Sequence, residues 1–166
     1  MSNPLSERIK SLPASATLAM AAKARELKNE GKDIIGLSLG EPDFNTPEFI
    51  KEAAIEAINA DYNSYTPVDG YVELKEAICT KFKRDNGLSY KPNQIVVSTG
   101  AKQSIANAVQ VLINPGDDVL LVAPYWVSYS AMVILAEGNP IEIRSGIETD
   151  FKITPDQLKA AITPKT

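Results

Sequence analysis

Between Ile95 and Tyr129 the chain reads IVVSTGAKQSIANAVQVLINPGDDVLLVAPYWVSY, and this stretch limits the folds open to it more than any other. A β-branched run, Ile95 to Val97, breaks at Ser98-Thr99-Gly100, and apolar residues return as Ile105, Val109 and Leu112 at helical offsets. That spacing predicts a strand, a tight turn and a helix. After a second turn at Asn114-Pro115-Gly116, an apolar strand is expected from Val119 to Ala123, ending at Pro124 and delivering Tyr125, Trp126 and Tyr129. Strand, helix and strand of these lengths predict a right-handed parallel crossover, and with it an α/β fold.

The first of these turns carries the chemistry. The leading N–H groups of a helix lack internal partners and sit at the positive end of its dipole, so an anion is stabilised there. Gly100 leaves room for close approach, Ser98 and Thr99 offer hydroxyls, and Lys102 offers a positive charge. Neither common nucleotide motif is present. There is no G-x-G-x-x-G, and Lys102 lacks the glycine frame and following Ser or Thr of a P-loop. A strand-S-T-G-helix turn is also an ordinary turn that needs no ligand. Trp126 arrives at the carboxyl edge of a neighbouring strand, where parallel sheets bind ligands, and its indole can lie on a planar ring or simply pack in a core.

Composition narrows the function classes. With 44% apolar and 23% charged residues over 166 positions, the chain reads as a soluble globular sequence able to bury one sizeable core. A net charge of -4 without a basic tract argues against a nucleic-acid binder. No histidine occurs, which excludes a His-based triad or zinc site. The one cysteine, Cys79, falls in a helical pattern with Leu74, Ala77 and Ile78, as a small buried hydrophobe would. The N-terminus lacks the long apolar run of a signal or membrane segment, so no membrane partner is expected and a reducing cytoplasm is the expected compartment.

In chain order, residues up to about 13 are polar and broken by Pro4 and Pro13, which predicts an extended arm. A helix follows with Met20, Ala24 and Leu27 on one face and Gly31 as its stop. Ile34 to Leu39 predicts a short strand, and Gly40-Glu41-Pro42-Asp43 a turn. Thr46-Pro47-Glu48 should cap a helix whose buried stripe is Ile50, Ala54, Ile55 and Ile58. A Pro/Gly loop from Tyr62 to Gly70 carries Tyr65-Thr66-Pro67. The next helix runs from about Tyr71 to Asn86, ends at Gly87 and bears Lys81, Lys83 and Arg84 on a solvated face. Past Tyr129, an apolar helix from Met132 to Leu135 stops at Gly138, Pro140 to Ile143 predicts a further strand, and Thr154-Pro155-Asp156 opens a short helix reaching Ile162.

Four of these segments, LSLGEPDFNTP, YTPVDGYVELKEAI, VVSTGAKQ and NPGDDVLLVAPYWVSY, resemble in order and spacing the amino-terminal part of fold-type I, pyridoxal phosphate-dependent class I aminotransferases, and within them the bacterial-type aspartate enzymes. The resemblance covers about Leu12 to Thr166. It implies a three-layer α/β/α large domain, incomplete for want of later strands, in residues 46–166. Residues 1–45 would be an N-terminal arm and small-domain segment.

The same resemblance implies a site. Gly100, Ala101 and Lys102 would hold the phosphate of pyridoxal 5'-phosphate through backbone N–H groups, and Trp126 would stack on its ring. Tyr65 would reach the phosphate from the other subunit of a homodimer. Gly40, Ser15, Thr17, Trp126 and Lys102 would contact small amino-acid and 2-oxo-acid substrates. For Lys102 two readings stay open, a cation for a distal substrate carboxylate and a solvated lysine in the first helical turn. The Schiff-base lysine, the acid facing the pyridine nitrogen and the arginine for the substrate α-carboxylate would all lie downstream. The chain alone is therefore expected not to transaminate, and its unpaired apolar strand edges predict association. Alternatives within the resemblance are prephenate, aromatic or alanine aminotransferases, or a lyase. Outside it stands a non-catalytic structural or dimerising module.

Overall fold

The computed structural model of the chain describes residues 4–37, 40 and 42–166, which fall into two compact units, Met1–Leu39 with Gly100–Thr166, and Gly40–Thr99. In the first unit the elements are α1 (Glu7–Lys10), α2 (Ala16–Asn29), α5 (Ala101–Leu112), β1 (Asp118–Ala123), α6 (Ser128–Leu135), β2 (Asn139–Arg144) and α7 (Pro155–Ala161). The second holds α3 (Glu48–Asn59), α4 (Val72–Asn86) and a 3₁₀ turn at Pro92–Gln94.

β1 and β2 pair in parallel, from Asp118 opposite Asn139 to Ala123 opposite Arg144, with α6 as the crossover between them. Val133 of α6, Ala136 just beyond it and Ile143 of β2 are the buried apolar residues among those described in this unit. They lie where the helix covers the strand pair, as a crossover requires. The peptide bond between Ala123 and Pro124, where β1 hands the chain to Trp126, is cis.

Helix ends follow their local chemistry. Ser15 caps α2, its hydroxyl accepting from the Leu18 N–H at 3.4 Å. Gly87 takes the left-handed conformation that closes α4. Thr154 and Gln157 form a reciprocal capping box on α7, with bonds of 3.2 and 2.8 Å. Lys81, Lys83 and Arg84 are solvated as expected, with Arg84 bonded to Asp85.

Several expectations fail, and they share a cause. The run Ile95–Val97 is not a strand: Ile95 has extended dihedrals, yet no ladder partner exists among the described residues, so the parallel crossover is made by β1 and β2 instead. Ile34–Leu37 likewise has no ladder partner among the described residues, with Ile35 84% and Leu37 90% exposed, while Ser38 and Leu39 of that expected strand lie outside the described residues. The α3 stripe is not buried either, since Ile50, Ile55 and Ile58 are all exposed. A strand or stripe becomes regular structure or core only against a surface that covers it. Two smaller departures are local. The arm contains one helical turn, α1, capped by the Ser6 hydroxyl, and Pro47 rather than Thr46 occupies the α3 N-cap with no side-chain bond. Cys79 is only half-buried.

Candidate functional site

α5 begins at Gly100, whose φ of 85° lies in the region that favours glycine, and a β-carbon there would meet nothing within 4 Å. Gly100, as the N-cap, has no side chain to cap the helix. The Gln103 N–H bonds back to the Gly100 carbonyl at 3.1 Å, whereas the Ala101 and Lys102 amides have no acceptor among the described residues. Two donors without an acceptor among the described residues, at the positive end of a helix, make a place for an anion.

The second component comes from the turn after β1. Trp126 is 46% exposed, and the Lys102 ammonium sits over its ring, 5.2 Å from the centroid. The turn at the start of α5 and the turn at the end of β1 thus meet. An amide pair for phosphate beside a half-exposed indole for a planar ring fits a phosphorylated aromatic cofactor. Bidentate donation from Ala101 and Lys102, with an ammonium close by, would supply charge-assisted bonds of about 1.5–3 kcal/mol each.

Ser15 and Thr17 lie at the start of α2 in the same unit. Thr17 is half-buried, and the Ser15 hydroxyl is engaged in capping. A cavity of about 560 Å³ brings Ser15 against Tyr125, Val127 and Ser128, the immediate neighbours of Trp126. Neither Trp126 nor Gly100, Ala101 or Lys102 lines it, so this cavity adjoins the amide–indole pair without containing it. Gly40 and Tyr65 belong to the second unit. Gly40 is exposed with open space where a side chain would stand, although Glu41 of its turn lies outside the described residues. Tyr65 is fully exposed on the Pro/Gly loop and bonds to no described residue.

One charged residue escapes sequence reasoning. Lys75 is 6% exposed, and its ammonium bonds the Asp69 carboxylate. The signal was available, because Lys75 stands in register with Ile78, Cys79 and Phe82, occupying a place on the inward stripe of α4 where an apolar residue belongs. The Lys75 ammonium beside it lowers the Asp69 carboxyl below its ordinary value. Among the described residues no cluster of Cys, Asp or Glu is arranged to hold a metal, and no helix is long and apolar enough to cross a membrane.

The family model described as aminotransferase class I and II matches residues 32–166. The aspartate/prephenate aminotransferase of Cereibacter sphaeroides is 55% identical over 98% of this chain and 40% of its own length. The crystal structure of the aspartate aminotransferase from Rhizobium meliloti superposes with a TM-score of 0.94 at 45% identity, covering 99% of this chain and 41% of that one. That of the Thermus thermophilus aspartate aminotransferase with maleate gives 0.93 at 44% identity, covering 99% and 43%. The chain spans about two fifths of the length of the curated relatives it matches.

Proposed function

Because the chain belongs to the class I and II aminotransferases, we propose that it is part of an aspartate-type enzyme that moves an amino group between aspartate and 2-oxoglutarate. Its α/β fold is that of the family, present in part. Residues 1–45 would serve as arm and small-domain segment and residues 46–166 as a partial cofactor-binding domain. The setting would be a cytoplasmic homodimer.

In this reading the Ala101 and Lys102 amides at Gly100 hold the phosphate of pyridoxal 5'-phosphate, and the Trp126 indole orients its ring. The group would supply an aldehyde that accepts and releases the amino group. Tyr65 would donate its hydroxyl to the phosphate bound in the partner subunit. Gly40 would present a backbone amide to the substrate carboxylate, and Ser15 and Thr17 would contact the substrate. Once the ring occupies the indole, the Lys102 ammonium is free to meet a second, distal carboxylate. Lys102 stands at the phosphate end, so it does not serve as the amine that attacks the aldehyde, and the 166 residues by themselves would not transaminate.

The observation that carries this reading is the Lys102 ammonium 5.2 Å from the Trp126 ring at a helix start with unpaired amides. A second reading, prephenate as amino acceptor, is favoured by the name of the Cereibacter sphaeroides relative. Aspartate, 2-oxoglutarate and prephenate all carry two carboxylates, so both readings use the same cation. An enzyme that carries this chain with the rest of the fold should prefer such substrates to alanine. Losing one charge-assisted bond in Lys102→Gln should lower kcat/KM for aspartate about 10- to 100-fold and leave alanine within a few-fold. Equal loss on both substrates, or preference for alanine in the parent, overturns the assignment.

A further inference from the structure

Tyr65 poses a physical problem for the function proposed above. Its side chain is fully exposed and touches nothing among the described residues, so none of its own contacts hold it in a productive direction. Whatever aims it must act through the backbone two to five residues further on.

That backbone is tied down from three directions within its own unit. The Gly70 N–H donates to the Pro67 carbonyl at 3.0 Å, closing a four-residue turn, and the Val97 N–H donates to the Asp69 carbonyl at 3.1 Å. Gly70, at a φ of 100°, packs so closely on Val97 that a β-carbon would stand 2.6 Å from a Val97 methyl. The third tie is the buried Lys75 ammonium on the Asp69 carboxylate, whose side chains are 7% and 44% exposed. Behind the turn, Tyr62 and Tyr71 meet edge to face with centroids 6.2 Å apart, closing the two ends of the loop.

Lys75 is the one charged residue buried among those described. Desolvating an ammonium is costly, and an apolar side chain of similar length on the same stripe of α4 packs at least as well. What an apolar residue does not supply is a directional bond to Asp69. We propose that Lys75 and Asp69 are positioning residues for Tyr65: their ion pair clamps the 67–70 turn and so presents the tyrosine hydroxyl to the cofactor phosphate of the partner subunit. The proposal rests on the reading of Tyr65 given above. Ordering the loop in advance spares that cost when the cofactor binds.

Lys75→Met tests it in an aminotransferase carrying this chain together with the rest of the fold, since it fills the same space and leaves no buried charge. A purely structural role for Lys75 predicts a lower Tm. A positioning role predicts an unchanged or higher Tm, with exchange of the Gly70 and Val97 amides and the dissociation constant for pyridoxal phosphate each raised about tenfold, as expected for one lost charged bond. The loss of affinity should shrink below about twofold when Tyr65→Phe is already present, because two changes acting through one contact are not additive. Lys75→Arg should restore the parent values. Unchanged amide exchange in Lys75→Met overturns the clamp. Equal loss of affinity with and without Tyr65→Phe overturns the link to Tyr65. If Tyr65→Phe alone leaves affinity unchanged while amide exchange in Lys75→Met still rises, the reading of Tyr65 fails and the proposal falls with it.

Discussion

An ammonium 5.2 Å from the centre of an indole contributes about 0.5–1 kcal/mol where both groups are exposed, less than a charged bond to a carboxylate. Lys102 therefore leaves Trp126 readily for a stronger partner, as the proposed contact with a substrate carboxylate requires. The Asp69 carboxylate is the opposite case, a group whose partner does not leave. Bonding to Lys75 lowers its carboxyl below the ordinary value, so its stabilisation of the 67–70 turn is complete above that value and is lost as pH falls through the lowered one. Protection of the Gly70 amide, corrected for intrinsic exchange, should hold from neutral pH down to about pH 4 and fall only below it. Lys75→Met should abolish that acid step. At this scale the turn at Gly100 that opens α5 was legible, because turn chemistry belongs to residue type and position. Lys75 was not singled out: its place on the α4 stripe was readable, but its burial against Asp69 is decided by packing.

At the scale of elements, α2, α4 and α7 appear close to their expected limits because helix signals are local. A cap and a stripe at offsets of three and four are complete within one segment. The α7 box illustrates this: the Thr154 hydroxyl takes the Gln157 N–H, the Gln157 side chain takes the Thr154 N–H, and the Gln157 amide also donates to the Arg144 carbonyl of β2 at 3.2 Å. Thr154→Ala should cost about 1 kcal/mol, and Gln157→Ala more, since it also frees β2; equilibrium denaturation of both variants measures the difference. Strands obey a different rule. Asp118–Ala123 and Asn139–Arg144 form because each has the other, whereas Ile95–Val97 carries an equally β-prone composition and remains unpaired. Half of every ladder bond belongs to another segment, so a strand signal without its neighbour is only a propensity.

For the molecule as a whole, surface area separates chain from fold. The chain exposes 13459 Å², against about 8,000 Å² for a compact protein of its mass, or about 9,600 Å² for two separate globules the size of its units. Leu37, Phe44, Phe49, Ile58, Val96 and Leu112 are among the large apolar residues left in solvent. Purified alone, the chain should associate at micromolar concentration and bind a hydrophobic dye, as light scattering and fluorescence would record. A monodisperse monomer with one sharp unfolding transition would contradict this.

Local chemistry determined the helices and the turn at Gly100 and supplied the residues of the proposed anion-and-ring site, because caps, periodicity and helix dipoles act over four or five residues. The family resemblance carried by four short motifs came from the same local information. Tertiary structure alone decided which apolar runs became strand or core, that the Lys102 ammonium rests on the Trp126 ring, and that a lysine is buried against Asp69. These depend on what covers a segment, and cover comes from residues far away in the chain.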